Sequence, residues 1–506
     1  MTDRELIANA RSALHEMDDE RSLRRNPLLT YLDRHALGHD RLRAHVLRAL
    51  ERLDPGSRAD LASERRGRQH TILLRCDVQR KTHQAVAASL GLSRRQFYRD
   101  RRLALIAFAA ALREYRGTPA PVTTEPRDVR LLYIKTLRER GKYDAVWRES
   151  VRALHDLRGD PREAEVWTVA AEAARFFGNA RKSQEAIDAL RAIAERAEHP
   201  HLRRATALRT AICETALDWM QADFAKARSR VERVVRSCGD ERTTYGRDAT
   251  LFGILLNYGA WMAIDVGDWA AATEFTRRSE RIAARSEVEY ASSYLHRLRG
   301  RLALQCDGDV SRAAMELRDA LDVADAHNAL APIACSSVEL GLATIASEER
   351  AGLDYIRYGL AIGRDVCGYD DFAVLFINTV PAMLAHTTTE SALEGVEVVR
   401  ARSPLFRRAD LFTRLAESAI SLAAGRNEAA ARSGAEVARE LERASLRPAA
   451  AEAHVISAEA LLRERRVVAA RRTLRRASET IERFGGAPTR ARAATLGACL
   501  ALPAAQ

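Results

Sequence analysis

From about residue 129 to 485, apolar positions recur every three or four residues, the spacing of amphipathic helices. Short polar corners interrupt the pattern at GKYDA (Gly141), GNARK (Gly178), QADFA (Ala222), GDWAA (Gly267), GDVSR (Gly308) and GRNEA (Gly425). The first intervals are 37, 44, 45 and 41 residues, and the last gap, 117, is three times 39, with weaker turns expected between at Gly352 and Thr389. A period of about 40 built from paired helices predicts an α-solenoid, in which each hairpin buries its apolar stripe only by stacking on its neighbours. The chain is therefore expected to be all-α, with about nine hairpins over 129–485 and a tail or cap at 486–506.

The fine pattern of the corners adds a resemblance. Trp167, Ala170, Ala171 and Ala174 precede Gly178-Asn179, with Ser183 and Ile187 after; Gly259, Ala260 and Ala263 precede Gly267-Asp268-Trp269, with Ala272 after. Small residues let adjacent hairpins approach closely, and Gly-Asp or Gly-Asn supplies a left-handed corner. This arrangement resembles tetratricopeptide repeats. Its period exceeds their usual length of about 34, which implies longer helices and a less regular superhelix.

Upstream, residues 1–64 give amphipathic segments broken near Asn26-Pro27, Gly38 and Asp54-Pro55-Gly56, and RGTPAPVTTEPRD carries three prolines that predict a linker over 117–128. Between them, 65–116 reads as a compact domain. Ile72, Leu73 and Leu74 mark one short helix, and Val86, Ala87 and Leu90 a second. Gly91-Leu92-Ser93 then makes a corner, Ser93 caps the next helix with its hydroxyl, and Phe97, Ala104 and Leu105 turn inward. The layout resembles the helix-turn-helix of region four of bacterial sigma factors and related effector domains. It departs at Asp100-Arg101, where those families carry an apolar residue.

Charge gives this stretch its meaning. Arg65 to Arg116 holds thirteen Lys or Arg against three acids, so +10 of the net +12 lies in 52 residues. That concentration points to an anionic partner, double-stranded DNA first. Arg94, Arg95, Tyr98, Arg99 and Arg102 fall on the outer face of the third helix, beside Ser93 and Gln96, and form the expected DNA-binding set. Arginine can be bidentate to guanine or clamp a phosphate.

Other chemistry is sparse. The seven scattered cysteines contain no C-x-x-C pair, so no staple or zinc site is expected. His35 and His39 have metal-binding spacing, but Gly38 lies between them and no carboxylate completes the set. No phosphate-binding glycine loop and no nucleophile-base pairing stands out, so neither an enzyme nor a cofactor is expected. With no signal-like start and no uninterrupted apolar run of about 18 residues, the expected setting is the cytoplasm, away from membranes.

Together these readings predict a transcriptional regulator that binds DNA through its amino-terminal region and a peptide or protein partner on the concave face of the solenoid. Glu172, Arg175, Arg209, Trp219, Asn257 and Trp261, on first helices of successive hairpins, are the expected partner contacts. The other reading is an interaction scaffold whose basic domain docks to protein or RNA polymerase. Helix-turn-helix proteins often pair on two half-sites, so a homodimer stays open.

Overall fold

The structure, a computed structural model, describes residues 1–17, 19–32, 39–53, 61–79, 81–114, 127–139, 141–237, 247–283, 289–326, 329–345, 347–366 and 406–501, with a few positions between 368 and 396. Every regular element among them is helical. Positions 117–126 of the expected linker, the turn at Thr389 and the side chains of His35 and His39 lie outside the described residues. The chain divides into two compact units, one of residues 1–170 with 326–328, the other of the remainder.

The first unit begins with α1 (Asp3–His15), whose start is fixed by a capping box between Thr2 and Glu5. Then come α2 (Glu20–Arg25), α3 (Leu28–Leu32), α4 (His39–Glu51), α5 (Leu61–Leu73) with a π-helical turn at Leu74–Val78, α6 (His83–Ser89) and α7 (Arg94–Arg113). Helices α1, α4 and α5 all pack on α7. Residues 1–64 thus belong with the basic region as one body, since α7 carries its apolar side, through Phe108, Ala109 and Leu112, well beyond the corner.

Helices α8 (Arg127–Glu139) and α9 (Tyr143–Asp156) form the first hairpin and belong to the same unit. Arg43 of α4 explains the attachment. Its Nε donates to the Met17 carbonyl across 2.9 Å, and its Nη1 lies 3.2 Å from the Glu149 carboxylate on α9. The Tyr133 hydroxyl of α8 donates to the same carbonyl.

The second unit continues the hairpins from α10 (Glu163–Phe176), which straddles the division, and α11 (Ala180–Arg196). The following pairs are α12 (Pro200–Met220) with α13 (Phe224–Ser237), α14 (Arg247–Val266) with α15 (Trp269–Ala283), and α16 (Glu289–Leu302), extended by a π-helical turn, with α17 (Val310–Ala326). Next come α18 (Leu330–Thr344) with α19 (Glu349–Val366), α20 (Arg407–Ala423) with α21 (Asn427–Arg443), and α22 (Arg447–Arg463) with α23 (Val467–Phe484); α24 (Ala487–Ala501) closes the series.

All six expected corners carry a residue at positive φ, between 60° and 80°. At Gly178 the geometry explains the sequence: its N–H bonds the Arg175 carbonyl and the next N–H reaches back to Ala174, closing the helix end as only a left-handed residue allows. Ser445 and Arg465 adopt the same conformation at the corners on either side of α22 without being glycine. Gly352 is different. It lies inside α19, where an added Cβ would come 2.6 Å from the Ile345 Cα, so it serves helix contact and the turn precedes it at Ser347-Glu348.

The second unit is wound tightly enough to meet itself. One apolar core joins Leu208, Phe252 and Leu255 of α12 and α14 to Leu411, Leu415, Ala453 and Ile456 of α20 and α22. The stretch Asp248–Val266 of α14 is long and apolar enough to cross a membrane, but 61% of it is buried here, the environment of a core helix.

Candidate functional site

In the first unit the candidate surface is built on a small apolar cluster. Ile72, Cys76, Val86, Ala87 and Phe97 pack together, with Leu90 and Leu92 at the edge. Gly91 takes a φ of 62°, and the Leu92 N–H bonds the Ala87 carbonyl, turning the chain from α6 into α7. Ser93 caps α7. Its hydroxyl accepts from the Gln96 N–H while the Gln96 side chain accepts from the Ser93 N–H, so these two candidate residues hold each other.

With Phe97 1% exposed, the periodicity of α7 sends Arg94, Arg95, Gln96, Tyr98, Arg99 and Arg102 to solvent. Tyr98 is steadied from the side: its hydroxyl lies 3.4 Å from His83 Nδ1, and its ring meets both His83 and Phe97 edge-on or tilted. An open recess of about 400 Å³ beside the helix start is lined by Arg68, Leu92, Gln96, Arg99 and Asp100. Arg68 and His83 were absent from the sequence-based set. Both lie on earlier helices, which only the fold brings against α7.

The departure at Asp100-Arg101 has a structural account. Both residues are buried, and Arg101 Nη2 donates to Asp77 Oδ1 across 2.6 Å. An ion pair stands where the expected pattern has an apolar contact. Burial, with the neighbouring Asp77 charge, pushes the Cys76 thiol up to about 11. Burial, then the Arg101 charge, pulls His83 below its ordinary range.

In the second unit the first helices of successive hairpins bring Glu172, Arg175 and Arg209 around Cys213, whose thiol is raised to about 12 chiefly by desolvation and next by Glu172. Arg175 and Trp219 do not stand on an open face as expected. Arg175 is 3% exposed and donates to the Tyr258 hydroxyl, with its guanidinium 4.2 Å from the Phe176 ring centre. Trp219 is 8% exposed, with Nε1 donating to Asp265 Oδ2. The physical reason is cover by later repeats: Met220 of α12 and Tyr258 of α14 reach Arg175, and α20 packs on α12 and places Arg408 over the Trp219 ring at 4.4 Å.

Asn257 is turned toward its own hairpin and accepts a hydrogen bond from Ser279 on α15 at 2.7 Å. Glu172, Arg209 and Trp261 are half-buried. Trp261 lies beneath two guanidinium groups, Arg297 at 5.1 Å and Arg301 at 5.5 Å, both held by Glu339 of α18. Arg297, Arg301, Glu339 and Arg408 are inner-face residues that the sequence reading missed, because nothing in the local pattern marks a charge that faces another repeat.

No protein-family profile and no curated protein matches the chain. Among solved structures it is similar to a Rap protein complexed with competence and sporulation factor, with a TM-score of 0.52 and 12% identity over 71% of this chain and 99% of that one. It is more distantly similar to a signal transduction ATPase with numerous domains and a tetratricopeptide repeat sensor from Pyrococcus horikoshii, at a TM-score of 0.31 and 10% identity, covering 88% of this chain and 69% of that one. The TPR domain of P58(IPK) matches at 0.21 and 16%, covering 74% and 98%. The fold shared with the first of these is a TPR-like helical solenoid.

Proposed function

We propose that this chain is a non-enzymatic regulatory protein whose repeat region binds a peptide or protein segment. The observation that carries the reading is the half-buried Trp261 flanked by Arg297 and Arg301 on the inner helices of a TPR-like stack. An aromatic floor with fixed cations suits an extended segment that offers apolar and acidic side chains. The Rap protein of similar fold was solved with competence and sporulation factor, which agrees with such a role. The test is selection from a random peptide display library on the full chain. Enrichment that disappears with Trp261→Ala, at unchanged melting temperature, supports the reading; enrichment that persists points to a different surface.

A second, finer reading is favoured by one further observation: Arg94, Arg95, Arg99 and Arg102 are exposed on a single helix anchored by Phe97. On this reading the first unit binds double-stranded DNA through α7 as a helix-turn-helix, and the protein regulates transcription in response to its partner. Replacing Arg95 and Arg99 by Ala should cost about 1–3 kcal/mol of specific binding for each true base contact. Unchanged affinity in fluorescence anisotropy, with helicity intact, would leave the scaffold reading, in which the same face docks to protein or RNA polymerase.

A further inference from the structure

The second unit carries a cationic surface of its own. From Arg463 to Arg476 the sequence RERRVVAARRTLRR contains seven arginines and one glutamate. Helix α23 buries Ala470, Ala477 and Ile481, which turns Val468, Arg472, Arg475 and Arg476 outward, and Arg465 and Arg466 stand exposed at the preceding corner.

These arginines differ from those on several other second helices and from Arg483 near the end of α23, which pairs with Glu479. Arg148 pairs with Asp144 on α9, Arg181 with Glu185 on α11, Arg228 with Glu232 on α13 and Arg432 with Glu428 on α21, each one helical turn away. On α23 the residue one turn beyond Arg472 is Arg476, and the one beyond Arg471 is Arg475. Like charges at that spacing destabilise a helix. Arg465, Arg466, Arg472, Arg475 and Arg476 have no acidic partner among the described residues. The first turn of the helix holds no acid either. Glu479, one turn beyond Arg475, answers only the end of the run, so a cluster of like charges remains that an external polyanion would offset.

We propose that the outer face of α23 is a second docking surface, for the phosphate backbone of duplex DNA. It is separate from α7 and does not depend on the reading of that helix. Charge complementarity selects the partner. The stripe runs about 16 Å along the helix, and a duplex carries one charge per about 1.7 Å of axis, so several phosphates lie within its reach. Guanidinium groups clamp phosphate oxygens in pairs. A membrane would need large apolar residues on the same face, and Val468 alone is exposed there. Single strands call for exposed aromatic platforms, but Phe484, the only aromatic on α23, is half-buried beside Arg447 and Arg483. An acidic peptide would need apolar anchoring contacts as well as charge, and Val468 is the one large apolar side chain exposed on this face among the described residues.

The test uses the full chain and a fluorescent random duplex of about 30 base pairs, titrated at several salt concentrations. The triple variant Arg472→Gln, Arg475→Gln, Arg476→Gln should bind about tenfold more weakly at low salt. Its slope of log affinity against log salt should fall by roughly two to three, at about 0.9 for each phosphate that the variant no longer neutralises. Its melting temperature should hold or rise, which separates weakened binding from failed folding. The same loss of affinity on top of Arg95→Ala, Arg99→Ala would show that the surface acts apart from α7. A parent chain that binds no duplex, or a triple variant with the parent's affinity and slope, overturns the proposal. So does a triple variant that loses polyglutamate binding while keeping the duplex, which would make the surface one for acidic protein.

Discussion

Arg408 donates from Nε to Asp265 Oδ2 across 2.8 Å although the two residues are 143 positions apart. The same carboxylate oxygen accepts from Trp219 Nε1, and the side chains of the ion pair are 3% and 6% exposed. Three helices, α12, α14 and α20, are tied at one buried atom, so this contact fixes how far the solenoid winds before it meets itself.

Asp265→Ala should therefore destabilise the second unit by about 3–5 kcal/mol, because it leaves the buried Arg408 and the indole N–H without that acceptor. The double variant Asp265→Leu, Arg408→Met should cost clearly less than the single one, since it removes both charges together. Urea unfolding followed by tryptophan fluorescence checks both. Equal losses would mean that the pair carries no strong coupling.

The thiols of Cys76 and Cys213 stand at about 11 and 12 in the folded chain against an ordinary 9.0. A thiol that keeps its proton longer when folded favours the native state below about pH 9, and that contribution is lost as pH rises toward those values. It also makes a poor nucleophile. Alkylation of the native protein at pH 8 should mark the exposed Cys499 first, and Cys76 and Cys213 only after denaturation, as read by peptide mass spectrometry.

His83 gives an acid-side counterpart. Desolvation and the Arg101 charge lower its proton affinity, so the unfolded chain takes up the proton first as pH falls through the ordinary histidine range, and the stability tied to neutral His83 declines there. Its NMR titration midpoint should lie below 6.5, the ordinary value, and Arg101→Met should move it upward. A midpoint that ignores Arg101 would show that this charge does not reach the ring.

How much of this was legible in the sequence follows from which interactions are local. Five of the six expected corners were readable because glycine marks a left-handed residue, and Ala222 through its place in the period; Ser445 and Arg465 adopt the same φ with no such mark. The face of α7 was readable because Phe97 sets the phase for the residues around it. Arg175 and Trp219 were misplaced because periodicity tells which side of a helix meets its hairpin partner, whereas the other side is covered by later repeats, through Tyr258 of α14 for Arg175 and through α20, about 190 residues later, for Trp219. The pairing of Arg101 with Asp77 was hidden for a related reason: a charged residue in sequence reads as exposed until its partner is known.

Close backbone approach between paired helices gives the last prediction. An added Cβ at Gly341 of α18 would come 2.5 Å from the Gly352 carbonyl oxygen of α19 and 2.9 Å from the Ile356 nitrogen, both backbone atoms that no rotamer can move aside. Gly497 in α24 offers the opposite case, with nothing within 4 Å of the same position. Alanine favours a helix interior over glycine by about 0.8–1 kcal/mol wherever space permits. Gly497→Ala should therefore raise the melting temperature. Gly341→Ala should lower it, because forcing α18 and α19 apart costs about 1–3 kcal/mol of packing and outweighs the propensity gain. Differential scanning calorimetry of the two single variants reads both signs, and a stabilised Gly341→Ala protein would mean that the two helices do not pack backbone to backbone.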